Sequence, residues 1–118
     1  MRVIVAGSRT LDAYDLVRQH LDTLIGGRDD VEIVSGGARG ADALGERYAR
    51  ERGLTLTIMR ADWETNGKAA GPIRNRRMAE YGTHLVAFWD GESRGTANMI
   101  EEARRRGLQT MVVRFQTH

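Results

Sequence analysis

Short apolar-rich runs punctuate this chain. Between them lie longer stretches whose apolar positions recur every three or four residues. The runs are Val3 to Ala6, Val31 to Ser35, Leu54 to Met59, Leu85 to Trp89 and Gln109 to Phe115. A short run with little alternation predicts a strand covered on both faces, as in a parallel sheet. The spaced stretches predict helices. One runs from about Asp12 to Ile25, with Val17, Leu21, Leu24 and Ile25 on a single stripe. A second is Ala41 to Arg52, with Ala41, Leu44 and Tyr48 inward. A third begins at Pro72, a residue suited to a first helical turn, and runs to about Tyr81. The fourth is Thr96 to Arg106, with Met99, Ile100 and Ala103 inward and Arg104 to Arg106 outward. Asp12 is the expected cap of the first helix. Gly26-Gly27, Gly53, Gly82 and Gly107 are the expected stops. Residues 61–71 form the longest stretch without a pattern.

Strand and helix thus alternate as βαβαβαβαβ. This order predicts an α/β fold, a Rossmann-like three-layer α/β/α sandwich around a five-stranded parallel sheet, with residues 1–118 as one domain. Such sheets commonly take the order 3-2-1-4-5 or 2-1-3-4-5; the first is preferred here. It puts the switch point between strands one and four, and ligands bind at the carboxyl ends of strands around such a point. The turns after strands one, two and four all carry glycine: Gly7-Ser8-Arg9, Ser35-Gly36-Gly37-Ala38-Arg39-Gly40-Ala41-Asp42, and Gly91-Glu92-Ser93-Arg94-Gly95-Thr96.

Composition narrows the field. Apolar residues make up 41% of 118, enough for a core. Eighteen basic and sixteen acidic residues give a net charge of +2, a balance that argues against a nucleic-acid partner. The absence of cysteine excludes disulfides and thiolate metal sites. No apolar run approaches the ~20 residues of a membrane span, and the chain opens on a strand pattern with no signal-peptide core. The expected location is the cytoplasm, with no membrane partner.

The glycine turns suggest anion binding. Glycine lets backbone amides approach a ligand closely, and a helix N-terminus attracts negative charge. Gly36, Gly37 and Gly40 fit a phosphate cradle. Arg39 adds a planar, permanently charged fork. Ser8, Arg9, Ser93, Gly95 and Thr96 offer further donors beside their own turns. The pattern lacks the lysine of a nucleotide-triphosphate P-loop, and Gly-Gly-x-x-Gly is not Gly-x-Gly-x-x-Gly. After strand three, Arg74 and Asn75 near a helix start suit phosphate and a base or ribose hydroxyl, with Arg76 and Arg77 reading as solvated. Lys68 suits a mobile phosphate contact or plain solvation. Asp90 ends strand four at the crevice, where it suits a ribose hydroxyl, a magnesium ion or acid–base work. Asp42 fits helix-dipole stabilisation in a first turn. Glu101 and Glu102 fall too far along their helix. His20, His84 and His118 show no nucleophile pairing. Trp63 and Trp89 flank the crevice, as stacking faces or as packing. No residue set calls for a resident metal or cofactor.

These motifs, together with Ala61-Asp62-Trp63, Gly67-Lys68-Ala69-Ala70-Gly71-Pro72-Ile73-Arg74-Asn75 and Phe88-Trp89-Asp90-Gly91, resemble the SLOG superfamily. That Rossmann-like group includes DNA-processing protein A and the LOG-type lysine-decarboxylase-like proteins. The resemblance is strongest to its small YspA-type, YpsA-related branch, and covers nearly the whole chain in order. It implies binding of a nucleotide-derived, phosphorylated small molecule, AMP- or ADP-ribose-like, at the glycine turns, and a homodimer paired through helices. LOG-type members are phosphoribohydrolases carrying Pro-Gly-Gly-x-Gly-Thr-x-x-Glu. Here Gly95-Thr96 match, Met99 stands at the glutamate position, and Gly91-Glu92-Ser93-Arg94 replaces Pro-Gly-Gly. The departure favours binding over hydrolysis. Hydrolysis with Asp90 as acid–base is the alternative, followed by binding of single-stranded nucleic acid.

Overall fold

A computed structural model describes residues 1–116. His118 lies outside the described residues. Five parallel strands form one sheet in the order β3-β2-β1-β4-β5. They are β1 Arg2–Gly7, β2 Glu32–Ser35, β3 Thr55–Ile58, β4 His84–Trp89 and β5 Gln109–Arg114. The helices are α1 Tyr14–Ile25, α2 Ala41–Arg52, α3 Trp63–Asn66, α4 Ala70–Tyr81 and α5 Arg94–Arg105. A 3-10 turn, Gly67–Ala69, joins α3 to α4.

The strands at the centre are apolar throughout because successive side chains point to opposite faces and both faces are covered. From β1, Val3 and Val5 pack with α1 and α2, alongside Val86 and Phe88 of β4. Ile4 and Ala6 face the other way, with Leu85 and Ala87, against Met78, Ala79, Met99, Ile100 and Ala103 of α4 and α5. Tyr48 and Phe88 are among the largest fully buried side chains. Full burial of one such side chain contributes roughly 1.5–3 kcal/mol.

Several boundaries differ from the sequence reading. Asp12 does not cap α1 with its side chain: Ala13 precedes the helix, and the Tyr14 amide donates to the Asp12 backbone carbonyl at 3.1 Å. Residues 61–71 are largely helical. Asp62 caps α3 by accepting from the Thr65 amide at 3.2 Å. Pro72 lies in the first turn of α4, which starts two residues earlier than expected. One-turn helices carry too few spaced apolar positions to leave a periodic signal. Similarly, α5 starts at Arg94 because Ser93 caps it.

Candidate functional site

The expected switch point is present. β1 and β4 are neighbours, paired from Val3↔His84 to Gly7↔Phe88. Their chain exits diverge there and leave a cleft at the carboxyl edge. Ser8 locks the two exits together. Its amide donates to the Phe88 carbonyl at 3.0 Å, and its buried hydroxyl accepts from the Asp90 amide at 3.2 Å. The Ser8 carbonyl also accepts from Ala41, the first residue of α2, at 3.2 Å. Close approach makes two glycines obligatory. A Cβ on Gly7 would overlap the Phe88 carbonyl oxygen, and one on Gly40, whose φ is +73°, would overlap the Ser8 carbonyl oxygen.

The cleft has two lobes that share Arg9, Ala38 and Trp63. One, of about 320 Å³, is ringed by Arg9, Arg39, Arg60 and Arg74 over the glycine loop. The other, of about 450 Å³, runs between Gly7, Asp42, Asn75, Asp90 and Thr96 over an apolar floor of Met78 and Met99. Both volumes suit a small-molecule site (~300–1,000 Å³).

The arginine lobe is strongly cationic. None of its four guanidiniums forms an ion pair among the described residues, and no carboxylate lines the lobe. Arg2, Arg76, Arg77, Arg94, Arg104 and Arg114 are likewise without an ion pair there, whereas Arg18, Arg28, Arg47, Arg50, Arg52, Arg105 and Arg106 are each paired with Asp or Glu. The even overall charge therefore conceals a local excess. Charge counting along the chain misses it because pairing is set in three dimensions. Arg60 was also missed. It lies two residues past the end of β3, and its Nη1 donates to the Gly37 carbonyl at 3.2 Å. Its position after a strand end was the available signal.

The glycine loop does not work as a free backbone cradle throughout. The Gly37 amide donates to Ser35 Oγ at 3.1 Å, and the Ala38 amide to Asp42 Oδ2 at 3.2 Å. These donors point inward. Ser35 is fully buried, and its hydroxyl donates to Glu46 Oε2 at 2.6 Å, so it shapes the loop from beneath. Asp42 is buried beneath the cleft and ties down the glycine loop, a contact beyond the dipole role expected for it. Burial pushes its pKa up to about 6, opposed by the Ala38 amide and then by Arg74. Such a carboxyl titrates near neutral pH, as acid–base groups do.

Arg74 crosses from α4 to the loop. Its Nη1 donates to the Gly36 carbonyl at 2.7 Å and its Nε to Asn75 Oδ1 at 2.9 Å. Burial pulls the guanidinium down from its ordinary pKa, and Asp42 opposes the shift. Asn75 is buried and bridges helices: its Nδ2 donates to the Gly95 carbonyl at 3.2 Å and to Asn98 Oδ1 at 2.9 Å. It lines the cleft but its amide is already engaged, which limits its expected role as a free ligand donor.

Asp90, the expected acid–base group, is engaged by backbone amides. Its Oδ1 accepts from the amides of Glu92 and Ser93, both at 2.9 Å, and these bonds hold its pKa below the ordinary carboxylate range. It braces the turn into α5. Ser93 Oγ accepts from the Thr96 amide at 3.3 Å and from Thr96 Oγ1 at 3.1 Å. Gly95 stands beside open space. Trp63 is half exposed at the rim of both lobes. Trp89 instead lines a separate groove on α5, with its Nε1 donating to the Ser93 carbonyl at 3.0 Å. Lys68 lines neither lobe. His20 is tied to the Leu16 carbonyl and packs edge-on to Phe88. Glu102 pairs with Arg105 and Arg106, far along α5. Among the described residues no cluster of three His, Cys, Asp or Glu residues could hold a metal ion. No helix among them is long and apolar enough to cross a membrane.

Three comparisons bear on this geometry. The model of the YspA, cpYpsA-related SLOG family matches residues 1–65. The Gene 61 protein of Mycobacterium phage D29 is 39% identical over 114 residues, covering 91% of each chain. DNA processing protein A (DprA) from Streptococcus pneumoniae superposes with a TM-score of 0.73 at 19% identity, over 95% of this chain. This chain spans 49% of that protein, so the likeness is one of fold. The matched residues 1–65 hold β1, the glycine loop, Arg60 and Trp63. With this match and the phage relative together, the chain belongs to the YspA, cpYpsA-related SLOG family.

Proposed function

We propose that the cleft binds a phosphorylated, nucleotide-derived small molecule, of the AMP or ADP-ribose kind. The observation that carries this reading is the ring of four guanidiniums without carboxylate partners around one lobe, joined to a second lobe with an apolar floor and a polar rim. Guanidinium forks bind phosphate oxygens two at a time and stay charged at every physiological pH. The second lobe has the size and mixed polarity for ribose and base. Gly7, Ser8, Arg9, Gly36, Gly37, Arg39, Gly40, Arg74, Gly95 and Thr96 form the proposed ligand surface. Ser35, Asn75 and Ser93 shape it from behind.

A thermal-shift screen against AMP, ADP-ribose, cyclic ADP-ribose and NAD tests this. A ligand at ~100 times its dissociation constant stabilises by about 2.7 kcal/mol. Arg39 is exposed and lines the cationic lobe, so Arg39→Ala should weaken the shift with little cost to the apo protein. No shift with any of the four ligands overturns the reading. A single-stranded oligonucleotide belongs in the same screen, because the fold neighbour processes DNA by name and successive phosphates would also suit the arginines. Its signature is tight binding that collapses with added salt.

A second reading, hydrolysis of a nucleotide's N-glycosidic bond, is favoured by Asp42. A carboxyl in the cleft with a pKa of about 6 suits proton transfer, whereas Asp90 is bound to two amides and held low. Free base released from AMP by stoichiometric protein, and lost in Asp42→Asn, supports it. Intact AMP after long incubation rejects it.

A further inference from the structure

Trp63 is unusual in this protein. It is the largest side chain left substantially exposed, at 52%, while β1, β4 and both helix layers bury their apolar residues well. An exposed indole forgoes hydrophobic burial and keeps its ring face available to the cleft. It sits on the one-turn helix α3, fixed at its start by the Asp62 cap and at its end by Gly67, whose amide donates to the Trp63 carbonyl. The ring lies near Gly71 in the first turn of α4. A Cβ there would stand 3.4 Å from the indole Cη2. The ring thus packs at van der Waals distance over the start of α4. Trp63 also lines both lobes of the cleft. An aromatic surface stands where the cationic lobe meets the apolar-floored lobe.

From this juxtaposition we infer that Trp63 is the residue that reads the base: it stacks on a planar heteroaromatic ring of the ligand whose phosphate is held by the neighbouring arginines. The inference rests on the nucleotide reading and sharpens it. It requires a base, and it assigns base recognition to one side chain on α3. Stacking has no directional hydrogen-bond code, since every base presents a π-face. Trp63 then separates nucleotides from sugar phosphates, and discriminates weakly between purines and pyrimidines.

The test compares AMP with ribose 5-phosphate, which lacks the adenine, by calorimetry on the wild type, Trp63→Ala and Trp63→Phe. In the wild type AMP should bind about ten- to a hundredfold more tightly than ribose 5-phosphate, the scale of one base–aromatic stack. Trp63→Ala should erase most of that ratio and leave ribose 5-phosphate affinity unchanged. Trp63→Phe should restore most of it. A merely structural Trp63 would instead weaken both ligands together. Equal binding of the two ligands by the wild type overturns the inference while the phosphate site stands, as does a ratio that survives Trp63→Ala. If neither ligand binds, the nucleotide reading falls and takes this inference with it.

Discussion

The Arg74 guanidinium rests on the Gly36 carbonyl at 2.7 Å, joining the start of α4 to the loop after β2. Those residues are 38 positions apart in sequence. The contact closes one side of the cationic lobe and places Arg74 near Asp42. It also explains the glycine. An ideal Cβ at residue 36 would overlap Arg74 Nη1 and approach Asp42 Oδ2 to 2.8 Å.

Gly36→Ala should therefore displace Arg74, Asp42 or both. The contacted atoms are side-chain ends that can swing aside, so the expected cost is at the low end for overpacking, about 1 kcal/mol, read as a lower urea midpoint. Any nucleotide-induced thermal shift should fall as well, because the guanidinium is moved. A variant with wild-type stability and a wild-type shift would show that the loop yields without consequence.

Asp42 should make stability depend on pH. Its folded pKa, about 6, lies above the ordinary aspartate value of about 4. Between those values the folded state holds a proton that the unfolded state has released, so stability falls as pH rises. The contribution is fully present below about pH 4 and lost above about pH 6. It amounts to about 3 kcal/mol over that span. Asp42→Asn should flatten this part of the profile. Urea unfolding of both proteins from pH 4 to 7 checks it, and parallel profiles would refute the assignment. Glu32 and Asp90, both held below their ordinary values, act in the opposite sense at lower pH. The difference between the two proteins removes their contribution.

Ser93 and Asp90 should behave as parts of one cap. Ser93→Ala removes the side-chain acceptor of the Thr96 amide and should cost about 1 kcal/mol. Asp90→Asn keeps an acceptor for the Glu92 and Ser93 amides but loses its charge, so a smaller destabilisation is expected. Thermal melts at pH 7 rank the two. Nucleotide hydrolysis, if present, should survive Asp90→Asn. Loss of activity without loss of stability would return the acid–base role to Asp90.

Much of this protein is legible before folding. The two-face burial of β1 and β4 writes itself as unbroken apolar runs, and the stripes of α1 and α5 as spaced ones. Glycines at strand ends mark where the backbone must turn tightly, and connection rules then limit the strand order. Those features depend on local periodicity, so the α/β class and the five strands follow from the residues in line. The orders 3-2-1-4-5 and 2-1-3-4-5 both fit them, and the pairing of β1 with β2 and β4 decides between the two. What each site residue does depends on partners distant in sequence, and only the tertiary structure decides it. Ser35 and Asn75 carry polar groups suited to a ligand, yet packing turns them onto Glu46, Gly95 and Asn98. Asp42 and Asp90 are both carboxylates beside glycine turns. Desolvation raises one and two backbone amides lower the other. The four cleft arginines look like any others among 18 basic residues until folding gathers them around one lobe that no carboxylate lines. Charge pairing and burial act through space, and a linear pattern holds no record of them.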